Sequence, residues 1–137
     1  MQAIEKHDYK KAEKAICEGS NINEISYSAY PGSPLTYAIS KKDLKMVQLL
    51  VENGADVNFE PEGRGSDPLN TAIFQKDIAI VTYLLENGAD VLQENVKDRS
   101  NRPITYAIRV NAGKEIIDML REYTALQQQA IERQVEN

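Results

Sequence analysis

The chain of 137 residues holds one cysteine, one histidine and no tryptophan. Cys17 has no second thiol, which excludes an internal disulfide, and His7 alone leaves little material for a zinc site or a catalytic triad. No stretch reaches the roughly 18 uninterrupted apolar residues that a membrane span requires. The start Met1-Gln2-Ala3-Ile4-Glu5-Lys6 lacks the apolar core of a leader peptide, so the expected setting is aqueous and cytoplasmic, with a secreted effector as the alternative. Positive charge is also in short supply: 16 Lys and Arg face 21 Asp and Glu, for a formal charge of −5. Neither nucleic acid nor an anionic membrane would attract such a chain at long range, although a local basic patch escapes this exclusion. The length fits one small globular unit and not a multidomain enzyme.

What the sequence does contain is a repeat. Ser33-Pro34-Leu35-Thr36-Tyr37-Ala38-Ile39 recurs as Asp67-Pro68-Leu69-Asn70-Thr71-Ala72-Ile73 at a shift of 34, and as Arg102-Pro103-Ile104-Thr105-Tyr106-Ala107-Ile108 at a further 35. The stretch from Val47 to Asn58 matches that from Val81 to Leu92 at the same shift of 34. Pro34, Pro68 and Pro103 stand where a first-turn proline sacrifices no needed N–H, and each opens a short first helix. After the polar breaks Lys41-Lys42-Asp43 and Gln75-Lys76-Asp77, a second helix is predicted with the stripe Leu44, Val47, Leu50 and Val51, or Ile78, Val81, Leu84 and Leu85. Asn53-Gly54 and Asn87-Gly88 stop it, because glycine accepts the left-handed conformation that closes a helix.

These openings and stops resemble the ankyrin repeat, a unit of about 33 residues in which a β-turn precedes two antiparallel helices. The resemblance implies an all-α fold, a solenoid of stacked helix-turn-helix units with β-turn or hairpin tips. The histidine of the family's Thr-Pro-Leu-His opening is replaced by Thr36, Asn70 and Thr105, residues able to hydrogen-bond locally. A degenerate first unit fits residues 3–23, with Lys10, Lys11 and Lys14 on the water-facing side expected of a terminal repeat. One domain over 1–137 is expected, with units of about 1–25, 26–59, 60–93 and 94–124. Residues 125–137 form a helical extension or tail, since Tyr123 takes the place of the terminating glycine.

The residues offer little for chemistry. His7, beside Lys6 and Asp8, reads as a solvated surface histidine, and Cys17 as a partly buried thiol without a partner. Glu60, Glu62, Asp67 and Glu94 lack calcium-loop spacing, and Gly63-Arg64-Gly65 lacks the setting of a phosphate cradle. Neither enzyme activity, nor a cofactor, nor a metal is expected.

The family resemblance implies docking of another protein on the tips and the free face of the first helices. The three tips, 24–32, 59–66 and 93–101, differ from one another while the scaffold positions repeat. Tyr27, Tyr30, Phe59 and Phe74 supply large rings, and Arg64, Arg99 and Arg109 planar cations, the residue types that dominate interaction hot spots. Lys41 and Gln75 join them at the ends of the first helices. Tyr27 and Phe59 have a second reading, packing on a neighbouring tip, whereas Phe74 occupies the place where first helices of the family expose a variable residue. Tyr37, Tyr83 and Tyr106 fall at repeated or periodic positions and are expected between repeats. The function that emerges is a protein-binding module, an adaptor or a stoichiometric inhibitor, as a monomer. A dimer or larger assembly through Ile117, Leu120, Ile131 and Val135 is the alternative.

Overall fold

The computed structural model describes residues 8–19, 21–23, 33–59, 67–92 and 102–136. Among them lie seven helices and no strand: α1 (Tyr9–Cys17), α2 (Pro34–Ser40), α3 (Leu44–Glu52), α4 (Pro68–Gln75), α5 (Ile78–Glu86), α6 (Pro103–Arg109) and α7 (Lys114–Glu136). Most of each tip, expected as a turn or hairpin, and residues 3–7 of the first unit fall outside the described residues, as does His7.

Local chemistry sets each helix boundary. Proline opens α2, α4 and α6. The Ser33 hydroxyl accepts the Thr36 N–H at 3.3 Å and the Asp67 carboxylate accepts the Asn70 N–H at 2.7 Å, satisfying donors that a helix start leaves unpaired. The side chains that replace the family's histidine bond locally in these two units: Thr36 donates its hydroxyl to the Ser33 carbonyl at 2.9 Å, and Asn70 its amide to Asp67 at 2.9 Å. The Asn70 Oδ1 is left buried without a donor. In the third unit Arg102 makes no side-chain cap bond and Thr105 is exposed.

Each first helix ends in a left-handed residue, Lys42 and Lys76 at φ 55° and Asn111 at φ 52°. The next N–H then returns to an alanine carbonyl, Asp43 to Ala38 at 3.2 Å, Asp77 to Ala72 at 3.4 Å and Ala112 to Ala107 at 2.9 Å. Asp43 and Asp77 go on to cap the second helices through the N–H groups of Met46 and Ile80, at 3.1 and 3.2 Å. At the far end Gly54 and Gly88 take φ of 95° and 89°, where a residue with a Cβ is strained.

The helices form two rows. In one, α2, α4 and α6 lie side by side, in the other α1, α3, α5 and α7, and each first helix packs on the second helix of its own unit. Val47, Leu50, Val81, Leu84 and Leu85 are buried as the stripe predicts. Met46 and Ile80, outside that stripe, are also fully buried, while Ile78 is exposed. The difference follows from stacking: a second helix flanked by neighbours on two sides, and by the first-helix row on a third, buries more than one stripe.

Asparagines bridge the units. Asn23 Oδ1 accepts the Asp56 N–H at 3.0 Å; Asn58 Oδ1 accepts that of Asp90 at 2.8 Å and its Nδ2 donates to the Gly88 carbonyl at 3.0 Å. Leu92 stands at the next such place, and Gln127 acts there from α7, accepting the Val91 N–H at 3.1 Å and donating to the Ala89 carbonyl at 3.0 Å. Helix α7 thus runs through Tyr123 to Glu136, with every side chain from Gln128 to Glu136 exposed. At the other end the Tyr9 hydroxyl donates to Asp43 at 3.0 Å, fastening α1 to the second unit. Lys10, Lys11 and Lys14 are exposed. Cys17, the last residue of α1, is exposed too, contrary to the partly buried thiol expected of it, because the end of the helix leaves it without cover.

Candidate docking surface

The last turns of α2, α4 and α6 give three registered views of one surface. Ala38, Ala72 and Ala107, all fully buried, anchor the helices at equivalent points. Two residues further along the side chains diverge into Ser40, Phe74 and Arg109, followed by Lys41, Gln75 and Val110 and by the left-handed Lys42, Lys76 and Asn111. The backbone repeats while its outward side chains do not. Phe74 is 62% exposed although its neighbour Ile73 is wholly buried, so burying the ring is not what holds α4 in place.

Two rings in this row carry cations. The Lys41 ammonium lies 5.3 Å from the centroid of Tyr37, and the Arg109 guanidinium 5.3 Å from that of Tyr106, within the range of cation–π attraction. Tyr37 is buried and Tyr106 half-buried, which places both rings against the stack with a charge laid over them. Burial pushes the Tyr106 phenol above its ordinary range, with Arg109 opposing and Asp67 adding to the shift. Tyr83, in the second-helix row, is raised by burial and then by the charge of Glu52, and takes no part in this surface. The Ser40 hydroxyl is spent on the Tyr37 carbonyl at 2.6 Å.

Of the sequence candidates, Lys41, Phe74, Gln75 and Arg109 come together along this row: Lys41, Phe74 and Arg109 exposed and Gln75 half-buried. Phe59 does not join them; half-buried, it follows the Asn58 bridge on the segment leaving α3, where its N–H donates to the Asp56 carbonyl at 3.2 Å. Tyr27, Tyr30, Arg64 and Arg99 lie outside the described residues, as do Glu60, Glu62 and Glu94. Asp67 serves as the cap of α4. Among the described residues no three His, Cys, Asp or Glu side chains gather as metal ligands would, and no helix is long and apolar enough to cross a membrane.

Three members of the surface were not singled out from the sequence. Lys42 and Lys76 read there only as part of a polar break, and Ile108 only as the end of a repeated opening, sharing its letter and register with Ile39 and Ile73. Those two are fully buried and Ile108 is 57% exposed, since no first helix follows α6 among the described elements.

Residues 1–95 match the family described as ankyrin repeats in three copies. A similar solved structure is the crystal structure of the ankyrin repeat domain of Bcl-3, described as a unique member of the IkappaB protein family, at 28% identity and a TM-score of 0.75. The match covers 87% of this chain and 49% of that one, so this chain spans about half the length of its solved relative. No curated protein sequence matches the chain.

Proposed function

Since the chain belongs to the ankyrin repeat family, we propose that it is a non-catalytic protein-interaction module whose partner docks on the outward side of the α2–α4–α6 row and the adjoining tips. The observation that carries this reading is Phe74, a large ring left in water beside a fully buried Ile73, in a row whose inward positions repeat and whose outward positions do not. An exposed ring on a rigid helix has few rotamers to lose on binding, which is why such residues serve as anchors. The bound state needs little rearrangement, as expected of a preformed stack. In this reading four units, of about 1–25, 26–59, 60–93 and 94–124, act as one body, with 125–137 as an extension. The role is that of a small adaptor or a stoichiometric inhibitor that covers an active surface.

Capture of binding proteins from the native cell tests it. The Phe74→Ala, Gln75→Ala variant should lose a binder that the parent chain retains, with an unchanged melting curve, whereas Leu84→Ala should lose binding only as it loses its fold. A binder held equally well by the Phe74 and Gln75 variant removes this surface from the account, and a collapsed melt of that variant makes Phe74 part of the core.

A second reading, self-assembly through α7, is favoured by Ile131 and Val135, which lie one turn apart and are 52% and 81% exposed. Light scattering of the chain with and without residues 128–137 tests it; a monomer in both cases ends it.

A further inference from the structure

We propose that the α2–α4–α6 row receives an acidic segment of a partner protein extended as a polyproline-II-like chain, with carboxylates at about every third residue and an apolar side chain among them. The inference rests on the docking reading above and adds the chemistry of the partner. Its first ground is charge. From Pro34 to Lys42, Pro68 to Lys76 and Pro103 to Asn111 there is not one carboxylate, while Lys41, Lys42, Lys76 and Arg109 are all present and exposed, in a chain whose net charge is −5. Lys41 and Arg109 are steadied over the rings of Tyr37 and Tyr106.

The second ground is conformational and independent of the first. Lys42 and Lys76 occupy the left-handed region, at φ 55°. A side chain with a Cβ is disfavoured there relative to glycine, and asparagine tolerates it better. The third unit does use asparagine, Asn111, at φ 52°. The bonds made at the helix end come from the backbone, since the Lys42 and Lys76 N–H groups reach the carbonyls of Ile39 and Ile73 at 2.9 and 3.0 Å, as Asn111 reaches Ile108 at 3.1 Å. The lysine side chains are therefore not what closes these helices. An ammonium at a position that costs backbone energy, twice and in register, points to a role for the charge outside the closing of the helix.

Spacing gives the shape of the partner. Neighbouring helices pack about 8–10 Å apart, so the cations recur at about that interval along the row. A chain extended as a polyproline-II helix advances about 3.1 Å per residue with three residues per turn, which turns every third side chain to the same face, about 9 Å apart, and into step with the cations. Phe74 sits between the Lys41–Lys42 pair and Arg109 and calls for an apolar counterpart. A nucleic acid presents charge far more densely, about one per 1.7 Å of duplex, and would bring most of that charge against an acidic protein.

Fluorescence anisotropy with labelled synthetic peptides and the intact chain decides the matter. The probes are a short peptide with Glu at every third position around a central Leu, the same composition with its Glu residues gathered at one end, a version with Lys for Glu, a version with Ser for Glu, and a single-stranded oligonucleotide. The spaced acidic peptide should bind about tenfold tighter than the gathered, Lys and Ser versions, and weaken as salt rises. The variant Lys42→Asn, Lys76→Asn should bind it about tenfold more weakly while melting at the same or a higher temperature. No binding of the spaced peptide, equal binding by that variant, equal binding of the gathered peptide, or oligonucleotide binding as tight as the peptide's would each overturn the inference. If the Lys or Ser version binds as well and Phe74→Ala weakens it, the docking surface stands and its acidic preference falls. If binding of no peptide responds to Phe74→Ala, both fall.

Discussion

The two inner hairpins, α2–α3 and α4–α5, and the last one, α6–α7, start from nearly the same opening and finish differently. The inner pair has capping side chains at both helix starts, Ser33 and Asp43 in one and Asp67 and Asp77 in the other, and an asparagine-glycine stop. The last has Arg102 without a cap bond, Ala112-Gly113 where the aspartates stood, and Tyr123 where the glycine would be. Its second helix accordingly runs for 23 residues against 9 in each of the inner hairpins. The contrast teaches that helix length in this stack is set by local punctuation, while burial is set by who stands next door. Ile73 and Ile108 share one register, and only the former has a first helix on each side.

The sharpest way to break that comparison is to truncate both isoleucines. Ile73→Ala should cost about 2–5 kcal/mol in denaturant unfolding and Ile108→Ala less than about 1 kcal/mol, because only the first opens a cavity. Equal costs would mean that α6 is covered as completely as α4. A smaller effect is expected at the bridges. Asn58→Ala removes two hydrogen bonds between units and should destabilise by about 1–2 kcal/mol, whereas Gln127→Ala should cost about 1 kcal/mol and chiefly lower the helical circular dichroism of the α7 extension. A cooperative loss of the whole stack in the Gln127 variant would show that α7 is as integral as the inner helices. The smallest effect concerns the opposite end. Burial, followed by its bond to Asp43 and the charge there, raises the Tyr9 phenol above its ordinary value of 10.0. A group raised on folding stabilises below its unfolded value and loses that contribution as pH climbs through the folded one. Stability should therefore decline above pH 10, and Tyr9→Phe should show a shallower decline in that window, the share of Tyr83 and Tyr106 remaining in both proteins.

Much of this was legible in the letters. Pro34, Pro68 and Pro103 mark three helix starts, and Asn53-Gly54 and Asn87-Gly88 two stops, because proline and glycine act through the backbone of their own residue. Phe74 was readable as exposed through the family resemblance, which puts a variable, exposed residue at that place of the first helix. What escaped depends on neighbours distant in sequence. Ile108 looks identical to Ile39 and Ile73, and nothing local says that its far side is open. Met46 and Ile80 are buried by helices of adjoining units and so fall outside a stripe drawn for one face. Lysine does not announce a left-handed residue, so Lys42 and Lys76 showed their charge but not their conformation. Gln127 reaches backbone groups 36 and 38 residues earlier, a pairing that no periodicity encodes.

The Gln127 clasp has a mechanical corollary. By seizing the backbone on both sides of Asp90, it clamps the root of an overhanging rod whose tip, Glu136, lies about 1.5 Å per residue further out, or about 13 Å. Cargo fused to that tip would be carried at a set bearing from the stack, like a flag on a pole, and releasing the clasp would let it swing.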